Sequence, residues 1–168
     1  WIADRARALG FDLVGVAPVE SPPHGPAFAA WLRRGFHGEM AYLSRTAEHR
    51  LHPEQYASWA RSVVSVGLNY RSGHERAPGG DALQGWISRY AWGDDYHGGV
   101  LERLERLLAE LRTRAGADIQ GHACVDASPV LDRELAARAG LGWFGKNTLL
   151  LSALCSNSPS AAHALTRM

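Results

Sequence analysis

One carboxylate stands out by its setting. In the run CVDASPVLD, Asp126 follows a short apolar stretch and precedes Ser128-Pro129, a pair suited to opening a helix. A carboxylate at such a junction has two readings. It can help cap the helix, or it can serve as a general acid where a strand ends and a helix begins, a common place for binding sites. An acid needs a proton, and with an ordinary value near 3.9 only about one Asp in a thousand carries one at neutral pH. Raising that value to near neutrality costs about 4 kcal/mol; burial under a large apolar ligand supplies it and a helix N-terminus opposes it. Either such a ligand covers Asp126, or the carboxylate takes its proton from a solvent relay during turnover.

A second cluster is ISRYAWGDDYHGG, residues 87–99, where Arg89, Tyr90, Asp94, Asp95, Tyr96 and His97 crowd a short span ahead of a long helix. Asp95 can simply cap that helix. Asp94, Asp95 and His97 are metal-ligating types, but nothing fixes their spacing. A polar rim for a ligand fits better, with Arg for carboxamides or phosphate and Tyr for stacking. The third stretch, GLGWFGKNT at 140–148, is one residue short of a P-loop. A P-loop leaves a strand, opens a helix and follows its Lys with Ser or Thr for magnesium. Here a helix enters, the β-like run Leu149–Leu151 leaves, and Asn147 takes the hydroxyl position. A helix C-cap at Gly140 with a tight turn accounts for the first glycine, but leaves the grouping of Trp143, Lys146 and Asn147 unexplained.

The elements that must position these residues follow from periodicity. Residues 3–10 read as a short helix, 11–19 as a strand, 21–26 as a loop and 26–35 as a helix. A helical piece is expected near Met40–Ser44, then a turn at RLHPEQ, and SVVSVGLNY at 62–70 is a second strand. Residues 71–85 form a polar, Gly-rich loop. Leucines at helical spacing mark a helix from about Gly99 to Ala115, and its Glu110–Arg114 spacing suits a solvated ion pair. Residues 117–125 read as a third strand, Ser128–Gly140 as a helix capped by Ser128, and TLLLS as a fourth strand. The sum is an α/β (α+β) sandwich, a mixed sheet flanked by helices.

Composition bounds the rest. The 168 residues, 46% hydrophobic and 21% charged, are those of an ordinary globular chain. No apolar run is long enough to cross a bilayer and no signal-peptide pattern opens the chain, so no membrane partner and a cytoplasmic location are expected. A net charge of +1 gives no global pull toward nucleic acid. Two cysteines, Cys124 and Cys155, make neither a disulfide framework nor a four-thiolate cluster.

At GFDLVGVAP, GEMAYL, RSVVSVGLNY, ISRYAWGDDYH, VDASPVLDR and AGLGWFGKNTLLL, in that order over residues 10–151, the chain resembles the epoxyqueuosine reductases. These enzymes finish queuosine synthesis on tRNA with cobalamin. The resemblance implies a domain similar to nitroreductases and reductive dehalogenases, over residues 1–152, holding base-off cobalamin. It implies Asp126 as proton donor in epoxide reduction, and Arg50, Arg89, Tyr90, Asp126, Lys146, Asn147 and Leu150 as cofactor contacts. The partners implied are tRNA carrying epoxyqueuosine and a reductant supplying electrons. The family continues into a ferredoxin-like module with two runs of cysteines for 4Fe-4S clusters. Here Cys155 stands alone in a Ser/Ala-rich segment, 153–168, which does not resemble that continuation. The expectation is therefore a chain without the iron–sulfur module. The rival readings are a flavin-dependent reductase on a similar fold and a non-catalytic cobalamin-binding remnant.

Overall fold

The structure, a computed structural model, describes residues 1–70, 85, 87–116, 118–126 and 128–153. Its centre is a two-stranded antiparallel sheet of β1 (Leu13–Pro18) and β2 (Ser62–Gly67), in register from Leu13 opposite Gly67 to Pro18 opposite Ser62. Five residues of β2 are buried, as expected of a strand covered on both faces. Val64 and Val66 point to one face, where α1 (Ile2–Ala8) and α6 (Tyr96–Ala115) pack around Leu104 and Leu107. Val63 and Leu13 point to the other, against α7 (Asp132–Arg138). That second approach is close: a Cβ on Gly15 would lie 2.1 Å from the Ala139 carbonyl oxygen. Between the strands lie α2 (Gly25–Arg33), with Pro26 in its first turn, and α3 (Ala41–Arg45), α4 (Ala47–Leu51) and α5 (Pro53–Tyr56). A small hairpin, β3 (Trp143–Phe144) with β4 (Leu150–Leu151), follows α7.

The α+β class holds, but four details differ from the sequence reading. RLHPEQ is helical: Pro53 starts α5, where its missing N–H costs nothing. Residues 118–125 form no strand. The Arg112 guanidinium takes the carbonyls of Ile119 and Gly121, at 3.2 and 3.3 Å, that a ladder would need. Among the described residues the central sheet is accordingly antiparallel and two-stranded, not a larger mixed one. Finally, α7 begins at Asp132 and not after a Ser128 cap, because Val130 N–H donates to the Ser128 carbonyl in a tight turn and the Val130 carbonyl is held by Arg50. The loop expected at 71–85, except for Gly85, and all but the first residue of the 153–168 segment, Cys155 included, lie outside the described residues.

On the solvated side of α6, Glu110 does not pair with Arg114. It accepts two hydrogen bonds from Arg5, at 2.6 and 2.7 Å, and so ties α1 to α6.

Candidate functional site

Asp126 sits where the chain leaves the α6 face of the sheet and crosses toward α7: Val125 belongs to the first core and Val130 to the second. It turns there through a left-handed conformation, φ 49°, which Asp tolerates better than most side chains and which costs on the order of 1 kcal/mol. Its carboxylate, 37% exposed, is met by the first turn of α6. The Tyr96 hydroxyl donates to Asp126 Oδ2, and His97 Nε2 stands 3.5 Å from the same oxygen.

His97 is itself held from behind. Its Nδ1 lies 2.5 Å from Asp95 Oδ1, and the same oxygen accepts the His97 backbone N–H at 3.0 Å, which caps α6. Those two hydrogen bonds, the backbone one foremost, keep the Asp95 carboxyl below its usual range. Burial, then the bond to Asp126, pushes the Tyr96 phenol up, so it stays a donor. The Tyr96 ring stacks on His97 at 4.3 Å and meets Tyr90 edge-on at 6.2 Å; Tyr90 meets Tyr70 likewise. Asp95, His97 and Asp126 are strung in a line through opposite ring nitrogens, and among the described residues no three His, Cys, Asp or Glu gather as a metal set.

Behind Asp126 the loop to α7 is anchored by a cation. Arg50 is buried, with Nη1 2.6 Å from the Val130 carbonyl oxygen and Nε 3.0 Å from Thr46 Oγ1. Desolvation lowers its value from the ordinary one. Arg50 opposes, without cancelling, what burial and then the charge of Asp126 do to Asp132, whose carboxyl is pushed up to about 7. Neither Asp132 nor the pairing of buried Glu134 with His24 Nδ1, at 2.6 Å, stood out in the sequence.

The glycine-rich stretch is the β3–β4 hairpin. A Cβ on Gly142 would lie 1.9 Å from the Leu151 carbonyl oxygen, so strand closure alone demands that glycine. Asn147 Oδ1 accepts Leu149 N–H at 3.2 Å inside the turn. Thr148 takes φ 63°, unusual for a β-branched residue, while its carbonyl accepts from Arg133 at the start of α7. Arg133 therefore ties the hairpin tip to the helix end that the Asp126 loop enters. Leu150 is buried in the second core, so any ligand contact from that position comes from its backbone. Lys146 is exposed. Arg89 lies 5.4 Å over the Trp92 ring in a short 3-10 turn, Arg89–Ala91.

These placements bear on whether a corrin, a wide apolar ring edged with carboxamides, suits the chain. Ile87, Tyr90, Trp92, Trp143, Phe144 and Leu149 are large apolar or aromatic side chains left exposed, and they fall in the two segments expected to hold it. Arg89, Lys146 and Asn147 supply polar partners within the same segments. In chemical type these residues suit such a group. Arg50 is the exception, its guanidinium already committed to the loop beneath.

The fold and the site together define an α+β domain that presents one braced carboxylate beside an exposed aromatic surface. Residues 50–127 match the family model described as "Epoxyqueuosine reductase QueG, DUF1730". The chain is 38% identical over 152 residues to an epoxyqueuosine reductase of Cyclobacterium marinum, covering 90% of this chain and 48% of that protein. To one of Pseudomonas aeruginosa it is 37% identical over 153 residues, covering 90% and 42%. Among solved structures, an epoxyqueuosine reductase with a tRNA-Tyr epoxyqueuosine-modified tRNA stem loop matches 98% of this chain and 44% of its own, at TM-score 0.70 and 26% identity. One from Bacillus subtilis, with its catalytic aspartate loop swung out of the active site, matches 99% and 44% at TM-score 0.68 and 25% identity. Over nine-tenths of its length the chain is similar to epoxyqueuosine reductases, and it spans about half the length of the curated relatives it matches. No described helix is long and apolar enough to cross a membrane.

Proposed function

We propose that residues 1–152 form the cobalamin-holding, acid-supplying unit of an epoxyqueuosine reductase, with residues 153–168 outside that unit. Its substrate is a tRNA carrying epoxyqueuosine, in the cytoplasm. The observation that carries this is Asp126: a carboxylate in left-handed backbone, exposed, with the Tyr96 hydroxyl donating to Oδ2 and His97 Nε2 3.5 Å from it. A solved relative whose catalytic aspartate loop swings out supports reading the Asp126 loop as the one that delivers the acid.

Bound cobalamin would supply the low-potential electrons that open the epoxide, themselves drawn from an external reductant or from the 4Fe-4S module of the full-length family. This chain's residues do the rest. Tyr90, Trp143 and their exposed apolar neighbours cover the ring and exclude water; Arg89, Lys146 and Asn147 hold its amide rim. Asp126 protonates the departing oxygen, and Tyr96 and His97 stabilise the carboxylate left behind. Arg50 keeps the loop beneath Asp126 from collapsing.

Titrating the chain with cobalamin tests this directly. A saturable change to the base-off absorbance spectrum is expected, in wild type and in Asp126→Asn alike, with no comparable response to flavin. An unchanged cobalamin spectrum, or saturation by flavin instead, contradicts the reading.

A further inference from the structure

Turning an epoxide into an alkene takes two electrons and two protons and releases water. A lone carboxylic acid carries one proton, so Asp126 must be recharged within each turnover. On that reading of the site, we propose that His97, positioned by Asp95, is the residue that recharges Asp126.

The geometry supplies the route. An imidazole hydrogen-bonded to Asp95 Oδ1 at 2.5 Å, with its other nitrogen facing Asp126 Oδ2 at 3.5 Å, can donate to both only with a proton on each nitrogen. In the recharging step the Nε2–H bond breaks and an Oδ2–H bond forms. His97 is left neutral, with its Nδ1–H still on Asp95. Rotation of the carboxyl about its Cβ–Cγ bond, a broad two-fold torsion, then turns the new proton toward the reacting oxygen. The half-exposed ring regains its own proton from solvent. The groups facing His97 are Asp95 and Tyr96 from its own helix end and Asp126 from the loop.

Asp95 is the feature that a merely structural histidine would not need. Capping α6 requires its oxygen on the His97 backbone N–H, yet the same oxygen also fixes the ring, aiming Nε2 at Asp126. Tyr96 acts differently: it remains a phenol, donating to the carboxylate between proton transfers.

Two measurements test the proposal. In the cobalamin-free chain, 15N signals of the His97 ring should respond nitrogen by nitrogen: Asp126→Asn shifts Nε2, and Asp95→Asn shifts Nδ1. Signals that ignore both substitutions overturn the dyad without any appeal to activity. In the loaded, chemically reduced chain, His97→Gln should slow epoxyqueuosine reduction about 10²-fold, with the rate recovering on added imidazole. A rate equal to wild type, or a loss that imidazole leaves untouched, overturns the recharging role. If wild type itself fails to reduce epoxyqueuosine, the functional reading is what fails, and the nitrogen signals still decide whether the dyad exists.

Discussion

The two segments flanking α7 make an instructive pair. Each carries a non-glycine residue in left-handed backbone, Asp126 before the helix and Thr148 after it. The hairpin after α7 looked more like a site in the sequence, with three glycines and a Lys in nine residues. Yet most of its features answer to its own closure: Gly142 against Leu151, Asn147 on Leu149, Gly145 N–H on the Leu149 carbonyl. The loop before α7 looks plain and explains little of itself. It is held from outside, by Arg50 from α4 and by Tyr96 and His97 from α6. Strain that local chemistry explains belongs to folding. Strain that residues 30 and 80 positions away must sustain points to function.

That contrast can be broken from either side. The largest loss of stability is expected from Gly142→Ala, because its Cβ has no space against the Leu151 carbonyl; about 3 kcal/mol should go, read as a lower denaturation midpoint. Destabilisation under 1 kcal/mol would mean the hairpin is loose enough to be shaped by a ligand. Arg50→Ala should cost about 2–3 kcal/mol, since it strands the buried Val130 carbonyl. A replacement that leaves both stability and cobalamin affinity unchanged would deny Arg50 its role beneath the loop.

The smallest effect is a pH dependence from Asp132. Its folded value, about 7, lies above the ordinary carboxylate value. A raised folded value favours folding while the group is protonated and ceases to do so as pH rises through about 7. Asp132→Asn should therefore be more stable than wild type at pH 8, and the gap should close toward pH 4. Parallel stability curves from pH 4 to 8 would show that neither burial nor the charge of Asp126 raises the Asp132 carboxyl.

Helix positions were legible because leucine spacing, glycine stops and Pro26 act locally, and both central strands follow from their valines. Residues 118–125 were not, since the choice against a strand is made by Arg112, which reaches over from the previous helix. The same holds for the site. Asp126 drew notice from a strand–helix junction that the structure replaces with an irregular crossover, and Asp95 from its position before a helix. Their joining through His97 depends on how α6 lies on the sheet, which no local spacing encodes. Asp132 escaped notice because only burial beside Asp126 makes its carboxyl unusual.

The central claim is that Asp126 delivers protons in epoxide reduction, and one comparison addresses it most directly. Wild type and Asp126→Asn, both loaded with cobalamin and reduced chemically, would be given a stem loop bearing epoxyqueuosine. Asn keeps the left-handed turn and the size of the side chain but cannot release a proton as an acid, so queuosine formation should fall by about 10²–10⁴-fold with cobalamin affinity intact. Equal rates of queuosine formation in the two proteins would contradict the account.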